Sequence, residues 1–233
     1  MPVIRVLDIE TTGFDPNLHR VIEIAAYDLD TEQNTIDRVG SQLVLAGRDI
    51  PPEASAVHHL IESDLAGAVP FEQAWLQFAQ KAPKYFAAHN CEFEQHFLTA
   101  PADTQWICTY KCALRAWPEA PAHGNQVLRY YHKFDAYEGF DRELASRAHR
   151  AEPDAYVTAY LLHKLTTAHS LDELISWSKE PKVFPTITFG KHRGSKWAEV
   201  PSDYLEWMLK QTGMDLDAQH CAKLELTRRK VPE

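Results

Sequence analysis

Leu7-Asp8-Ile9-Glu10-Thr11-Thr12-Gly13 is the stretch whose reading decides the fold. It closes an apolar, β-branched run over residues 3–9, and Thr12-Gly13 then reads as a turn, so the run predicts a strand. Side chains alternate between the faces of a strand, which puts Asp8 and Glu10 on the same face. Adjacent carboxylates repel unless something cationic lies between them. At the carboxyl end of a strand in an α/β sheet, where ligands bind, the cation suited to oxygen ligands is Mg²⁺ or Mn²⁺. A solvent-facing acidic pair at a strand end fits the same spacing.

Outward from this stretch, residues 21–29 and 35–45 read as two further strands, separated by Asp15-Pro16-Asn17 and later turn residues. Three consecutive strands suggest an antiparallel meander. A helical pattern at 71–81, an apolar run at 85–88, helix at 92–98, strand near 105–108 and helix at 110–117 then alternate as in an α/β domain. The segment 118–148 carries little periodicity beyond Asn125, a candidate cap for a short helix from Gln126. From Pro153 to Thr167, Ala155, Ala159, Leu162 and Leu165 share one helical side. Ser170 and Glu173 form a capping-box pattern for a helix at 171–178.

Lys179 to Lys182 reads as a linker. The tail from Val183 predicts a strand, a turn at Gly190–Gly194 and helices near 202–211 and 216–229, a small α+β unit. The expected division is a domain over 1–178 and a small one over 183–233. At 233 residues and 45% apolar content the chain can support both.

Net charge is −9, which argues against a polyanionic partner, yet the charge is uneven. Residues 1–167 carry 14 basic and 23 acidic side chains, whereas 168–233 carry ten of each. The acidity sits where cations would neutralise it, so nucleic acid is not excluded. Cys91, Cys108, Cys112 and Cys221 contain no C-x-x-C pair and read as buried hydrophobes. No apolar run is long enough for a membrane span, and the N-terminus lacks a signal pattern, so a soluble cytoplasmic chain without a membrane partner is expected.

Two more clusters carry chemistry. In His149-Arg-Ala-Glu-Pro-Asp154, the acid falls in the first turn of a helix, where the dipole favours a carboxylate, and the imidazole lies just before it. A base beside a fixed carboxylate suits proton removal from a metal-acidified water. A helix-capping acid with a surface histidine is the bland alternative. In His89-Asn90-Cys-Glu92-Phe93-Glu94, Phe93 and Phe97 make a helix core face and leave Glu94, or its competitor Glu92, to point elsewhere.

The three pieces together resemble the DEDD superfamily of 3′–5′ exonucleases with a histidine base, whose motifs run D-x-E-T-T-G, H-N-x-x-F-D and H-x-A-x-x-D. Ala54-Ser-Ala-Val-His58, Trp106-Ile-Cys-Thr109 and Thr188-Phe-Gly-Lys191-His-Arg-Gly194 extend the likeness to the exodeoxyribonuclease X type over most of the chain. The resemblance implies a ribonuclease-H-like α/β fold with a mixed central sheet and an exonuclease X-type C-terminal domain. It also implies two Mg²⁺ (or Mn²⁺) ions held by Asp8, Glu10, Glu94 and Asp154, with His149 as general base. Contacts to the 3′ nucleotide would involve Thr11, Thr12, His58 and Asn90, and Phe14 could stack on a base. DNA 3′ ends, single- or double-stranded, are the implied substrate.

An exoribonuclease or short-oligonucleotide nuclease on the same fold is the alternative, because the 2′-OH is read by local contacts. The family's second motif ends in Asp, whereas Glu94 stands here. Mg²⁺ demands near-ideal geometry, so altered activity with Mn²⁺ preferred is expected, and a catalytically impaired 3′-end or polymerase-binding protein is conceivable. In the tail, Lys191, His192, Arg193 and Lys196 interleave with Phe189 and Trp197, a composition suited to phosphate and base contact or to a packed hairpin with a solvated turn.

Overall fold

The structure, a computed structural model, describes residues 2–230. Three long strands open it: β1 (Val3–Thr11), β2 (Val21–Asp30) and β3 (Thr35–Leu43). After α1 (Pro52–His58) and α2 (Phe71–Ala79) come β4 (Tyr85–Ala88), α3 (Glu92–Phe97), β5 (Gln105–Cys108) and α4 (Thr109–Ala116). The helices α5 (Asn125–Tyr131), α6 (Arg142–Ala145), α7 (Ala151–Ala168) and α8 (Leu171–Lys179) complete this part, and α9 (Ser202–Leu209) and α10 (Leu216–Lys230) end the chain. The sheet order is β3-β2-β1-β4-β5. The β1–β2 and β2–β3 pairs are antiparallel and the β1–β4 and β4–β5 pairs parallel, the expected meander extended into a mixed sheet. Among the described residues no helix is long and apolar enough to cross a membrane.

Strand alternation sorts the core into two layers. Ile4 and Val6 of β1, with Ala25, Tyr27 and Leu29 of β2, pack against α4, α5 and α7. Leu7 and Ile9, with Ile24 and Ala26, face α2 and the Phe93–Phe97 side of α3, whose ring centroids stand 5.1 Å apart. Asp8 and Glu10 therefore continue the Ile4–Val6 row and put carboxylates on the face that α7 covers. The tail has a core of its own, Ile187, Trp197, Val200, Leu205, Met208 and Cys221 among its members.

Several boundaries differ from expectation. Gly124, not Asn125, is the residue before α5, because the Asn125 amide is taken up by the Thr158 hydroxyl at 3.0 Å. The Ser170 hydroxyl accepts from Glu173 N–H, but the Glu173 carboxylate turns to His169 rather than closing a capping box. The strand expected after Val183 is reduced to one antiparallel bridge, Thr186 with Lys196, as the segment has no neighbouring strand to extend the pairing. The four cysteines are free and buried.

Candidate active site

Three carboxylates from two elements converge at the carboxyl end of β1. Asp8 and Glu10 come from β1 itself, and Asp154 comes from the first turn of α7. One oxygen from each of the three lies within 4.8 Å of the others. What holds α7 there is Glu23 on β2, the cross-strand partner of Glu10. Its carboxylate accepts from the Arg150 guanidinium at 2.8 and 2.6 Å and from Ala151 N–H at 3.0 Å. A buried carboxylate thus satisfies the first orphan donor of α7 across the fold and favours the positive end of its dipole. The spacing of Glu23 carries no motif, so sequence reasoning had not singled it out.

His149 precedes this turn in the left-handed region, φ 61°, and its N–H donates to Asp154 Oδ2 at 2.8 Å. The backbone twist lets the imidazole project outward, where it is exposed and makes no hydrogen bond among the described residues. Asp8, His149 and Asp154 share the lining of a cavity of about 370 Å³ with His89, Asn125 and Gln126. The His89 ring is half-buried, donates from Nε2 to the His123 carbonyl at 2.8 Å and pairs through Nδ1 with the Thr109 hydroxyl at 2.9 Å. Burial pushes its pKa down to about 4, so it is a neutral wall rather than a second base.

Glu94 is 3% exposed and stands outside the three-carboxylate group. It still lies close enough to Asp8 and Glu10 for their charges to interact. Its rival Glu92 is engaged elsewhere, 2.6 Å from Lys111 Nζ and 3.8 Å from Lys182 Nζ. Burial first, then the neighbouring Asp154, Glu10, Glu94 and Glu23, raises Asp8 well above the carboxylate range. Burial and Asp154 push Glu10 up to about 8, with Arg150 opposing. Burial also raises Asp154, against the His149 N–H that favours its charge, and dominates the rise at Glu94. Like-charged oxygens crowded in a poorly solvated site need a cation to ionise together.

The remaining sequence candidates border this site. Thr11 and Thr12 are buried, and their hydroxyls are turned inward, Thr11 to the Gly13 carbonyl at 2.7 Å and Thr12 toward His19 Nδ1 at 3.2 Å. The Thr12 N–H is also engaged, by the Arg20 carbonyl. His58 is buried, with Nδ1 accepting from Leu60 N–H. Phe14 is 87% exposed and meets Phe93 edge-on. Buried side-chain atoms without a protein partner include His58 Nε2, Asn90 Oδ1 and Glu94 Oε2, all on residues selected from the sequence. Buried polar atoms are satisfied as a rule, so each orphan is an atom that a ligand could satisfy.

A model of the Exonuclease family (RNase T) matches residues 6–162, spanning every element that builds this site. The chain belongs to the exonuclease family. Its similarity to exodeoxyribonuclease 10 of Escherichia coli K12 is 29% identity over 214 residues, 88% of this chain and 90% of the relative. DNA polymerase III subunit epsilon of Treponema pallidum is 28% identical over 172 residues, 70% of this chain and 76% of that one. Exonuclease X in complex with 5′ overhanging duplex DNA superposes with a TM-score of 0.61 at 28% identity, covering 75% of this chain and 99% of that structure. The mixed sheet with its helices is thus the ribonuclease-H-like exonuclease fold, and the family's activity is 3′–5′ hydrolysis of nucleic acid. Asp8, Glu10 and Asp154 form a carboxylate cluster of the kind that could hold a metal ion.

Proposed function

We propose that this exonuclease removes nucleotides from DNA 3′ ends, with Asp8, Glu10, Glu94 and Asp154 holding two divalent ions and His149 acting as general base. The observation that carries the reading is the convergence of three carboxylate oxygens within 4.8 Å beside an exposed imidazole. An all-oxygen donor set suits Mg²⁺ or Mn²⁺, and the orphaned Glu94 Oε2 fits a ligand atom beside Asp8. When bound, the ions neutralise the scissile phosphate and acidify water.

The chain's own residues do the rest. Arg150 and Glu23 hold the α7 turn so that Asp154 faces Asp8. The His149 imidazole takes the proton of the attacking water, the bond from phosphorus to O3′ breaks, and a nucleoside 5′-monophosphate leaves a shortened strand with a free 3′-OH. His58 Nε2 and Asn90 Oδ1 are the contacts assigned to the terminal nucleotide, and Thr11 and Thr12 shape the backbone beneath it. Exodeoxyribonuclease 10, the relative with 29% identity, supports DNA as the substrate. The same reading divides the chain into an exonuclease domain, 1–178, and a small C-terminal domain, 183–233, supported by the separate core of the tail. Free cysteines support a cytoplasmic location.

The test is a Mg²⁺ and Mn²⁺ titration of degradation on DNA and RNA strands of the same sequence, labelled at the 5′ end, with Asp8→Ala as blank. Metal-dependent shortening from the 3′ end, faster on DNA and absent in the variant, is the expected result. Faster shortening of RNA would make the protein an exoribonuclease, and no cleavage with either metal would make it a binding protein.

A further inference from the structure

The tail holds a second cavity, about 510 Å³, lined by Phe189, Tyr204, Trp207, Gln211, Met214 and Asp215 with two glycines. The Tyr204 and Trp207 rings lie 5.2 Å apart with their planes at 33°. Trp197, for which the sequence allowed either ligand contact or packing, is core, its Nε1–H donating to the Phe184 carbonyl. Trp207 stands outside that core and is 46% exposed. Gly190, at φ 64°, turns the chain directly over Tyr204, where an added Cβ would meet the phenol oxygen at 3.0 Å. This turn sets Lys191 Nζ 5.1 Å from the Tyr204 ring centroid.

Charge points the same way. The ion pairs of the tail use Lys182, Arg228 and Arg229, and exposed Lys191, Arg193 and Lys196 belong to the tail cations without a carboxylate partner among the described residues. Most of the acids are engaged: Asp215, exposed at the cleft, caps Ala218 N–H, Asp217 accepts from Lys182 N–H, and Glu225 is held by two arginines. Glu199 and Asp203 accept from Lys196 and Tyr204 N–H groups, so Glu206 is the one described tail acid with no such contact. An exposed indole near cations free of carboxylate partners, with the half-buried Tyr204 ring beside it, is what single-stranded nucleic acid needs, because any unpaired base can stack and any phosphate can pair.

We propose that this cleft is a second DNA site, taking unpaired bases on Trp207 and Tyr204 and phosphates on Lys191, Arg193 and Lys196. The inference rests on the nuclease reading and extends it: a strand held at a second point raises the local concentration of its 3′ end at the carboxylate site. The paired bases of a duplex cannot reach the rings, so the site selects single strands.

The probe is a fluorescein-labelled oligothymidylate of about 15 nucleotides, the scale of such sites, and its duplex, bound to full-length protein carrying Asp8→Ala to prevent cleavage. Trp207→Ala should weaken single-strand binding about tenfold and duplex binding by less than about twofold, whereas Trp207→Phe keeps most of the affinity. Replacing Lys191, Arg193 and Lys196 by Gln together should flatten the salt slope by about two. In protein with Asp8 restored, Trp207→Ala should raise KM on long single strands and leave dinucleotide hydrolysis unchanged. Single-strand affinity unaltered by Trp207→Ala, or equal losses on single strand and duplex, would overturn the proposal. Failure of unsubstituted protein to hydrolyse the dinucleotide would instead overturn the catalytic reading, since the binding comparison does not depend on cleavage.

Discussion

Asp8 and Glu10 occupy positions in a row that is otherwise apolar, and their protonation records the cost of that placement. The Glu10 carboxyl is pushed up to about 8, chiefly by burial and then by Asp154. Between its unfolded value, about 4.3, and 8, the metal-free native state holds a proton that the unfolded chain has released, so stability falls as pH rises through this window. Asp8 and Glu94 shift in the same direction. A divalent cation competes with these protons, so the rise in Tm on adding saturating Mn²⁺ should be larger at pH 8 than at pH 5. Equal gains by scanning fluorimetry at both pH values would contradict this account. His149→Ala should lower nucleotide release by about 10²–10⁴-fold with little change in Tm, because the ring makes no hydrogen bond among the described residues. Glu94→Gln keeps the shape of a buried side chain but not its charge. It should cost at least about tenfold in rate, and an undiminished rate would remove Glu94 from the metal ligands. At this scale the sequence was most legible: the carboxylates, the imidazole and the role of Phe93 and Phe97 follow from residue type and local spacing.

Elements were legible wherever one local rule dominated, as in the three opening strands. They were not where a distant partner intervened. The pattern from Pro153 implied the body of α7, but the helix starts at Ala151 because Glu23, on a strand far earlier, accepts its first N–H. Asn125 looks like a cap until Thr158 claims its amide. The short helix α1 opens with a proline in its first turn and ends in buried His58, a start signal present in the sequence and left unread. Glu23→Ala should destabilise the protein by about 2 kcal/mol, since it strands a partly buried guanidinium and an N–H. It should also reduce catalysis at temperatures where the variant is fully folded, because Asp154 loses its footing. Chemical denaturation and steady-state rates separate the two effects. Gly13, where β1 leaves the sheet, has φ 155°, and an added Cβ would lie 2.5 Å from the His19 ring. Gly13→Ala should therefore lower stability by about 1–3 kcal/mol by forcing the His19 ring away from Thr12.

At the scale of the whole molecule, among the described residues the hydrophobic cores of the sheet draw on none beyond Trp177, and the tail packs its own. A chain ending at Lys182 should remain folded, with a cooperative thermal transition shifted by only about a few degrees. Loss of cooperativity would show that the tail contributes to the exonuclease core. Lys182 joins the two parts: its Nζ lies 3.8 Å from both Glu92 and Asp217, its N–H donates to Asp217 and its carbonyl accepts from the Cys221 thiol. The sequence by itself determined the α/β class, because strand alternation and helix periodicity are set by residues close in the chain, and the resemblance of its three motifs identified the family. Only the tertiary structure decided the clamp of Glu23 on Arg150, 127 residues away, the neutral role of His89, and the exchange of Trp197 for Trp207 as the exposed indole. Each depends on which surfaces meet after folding, and no local pattern records that.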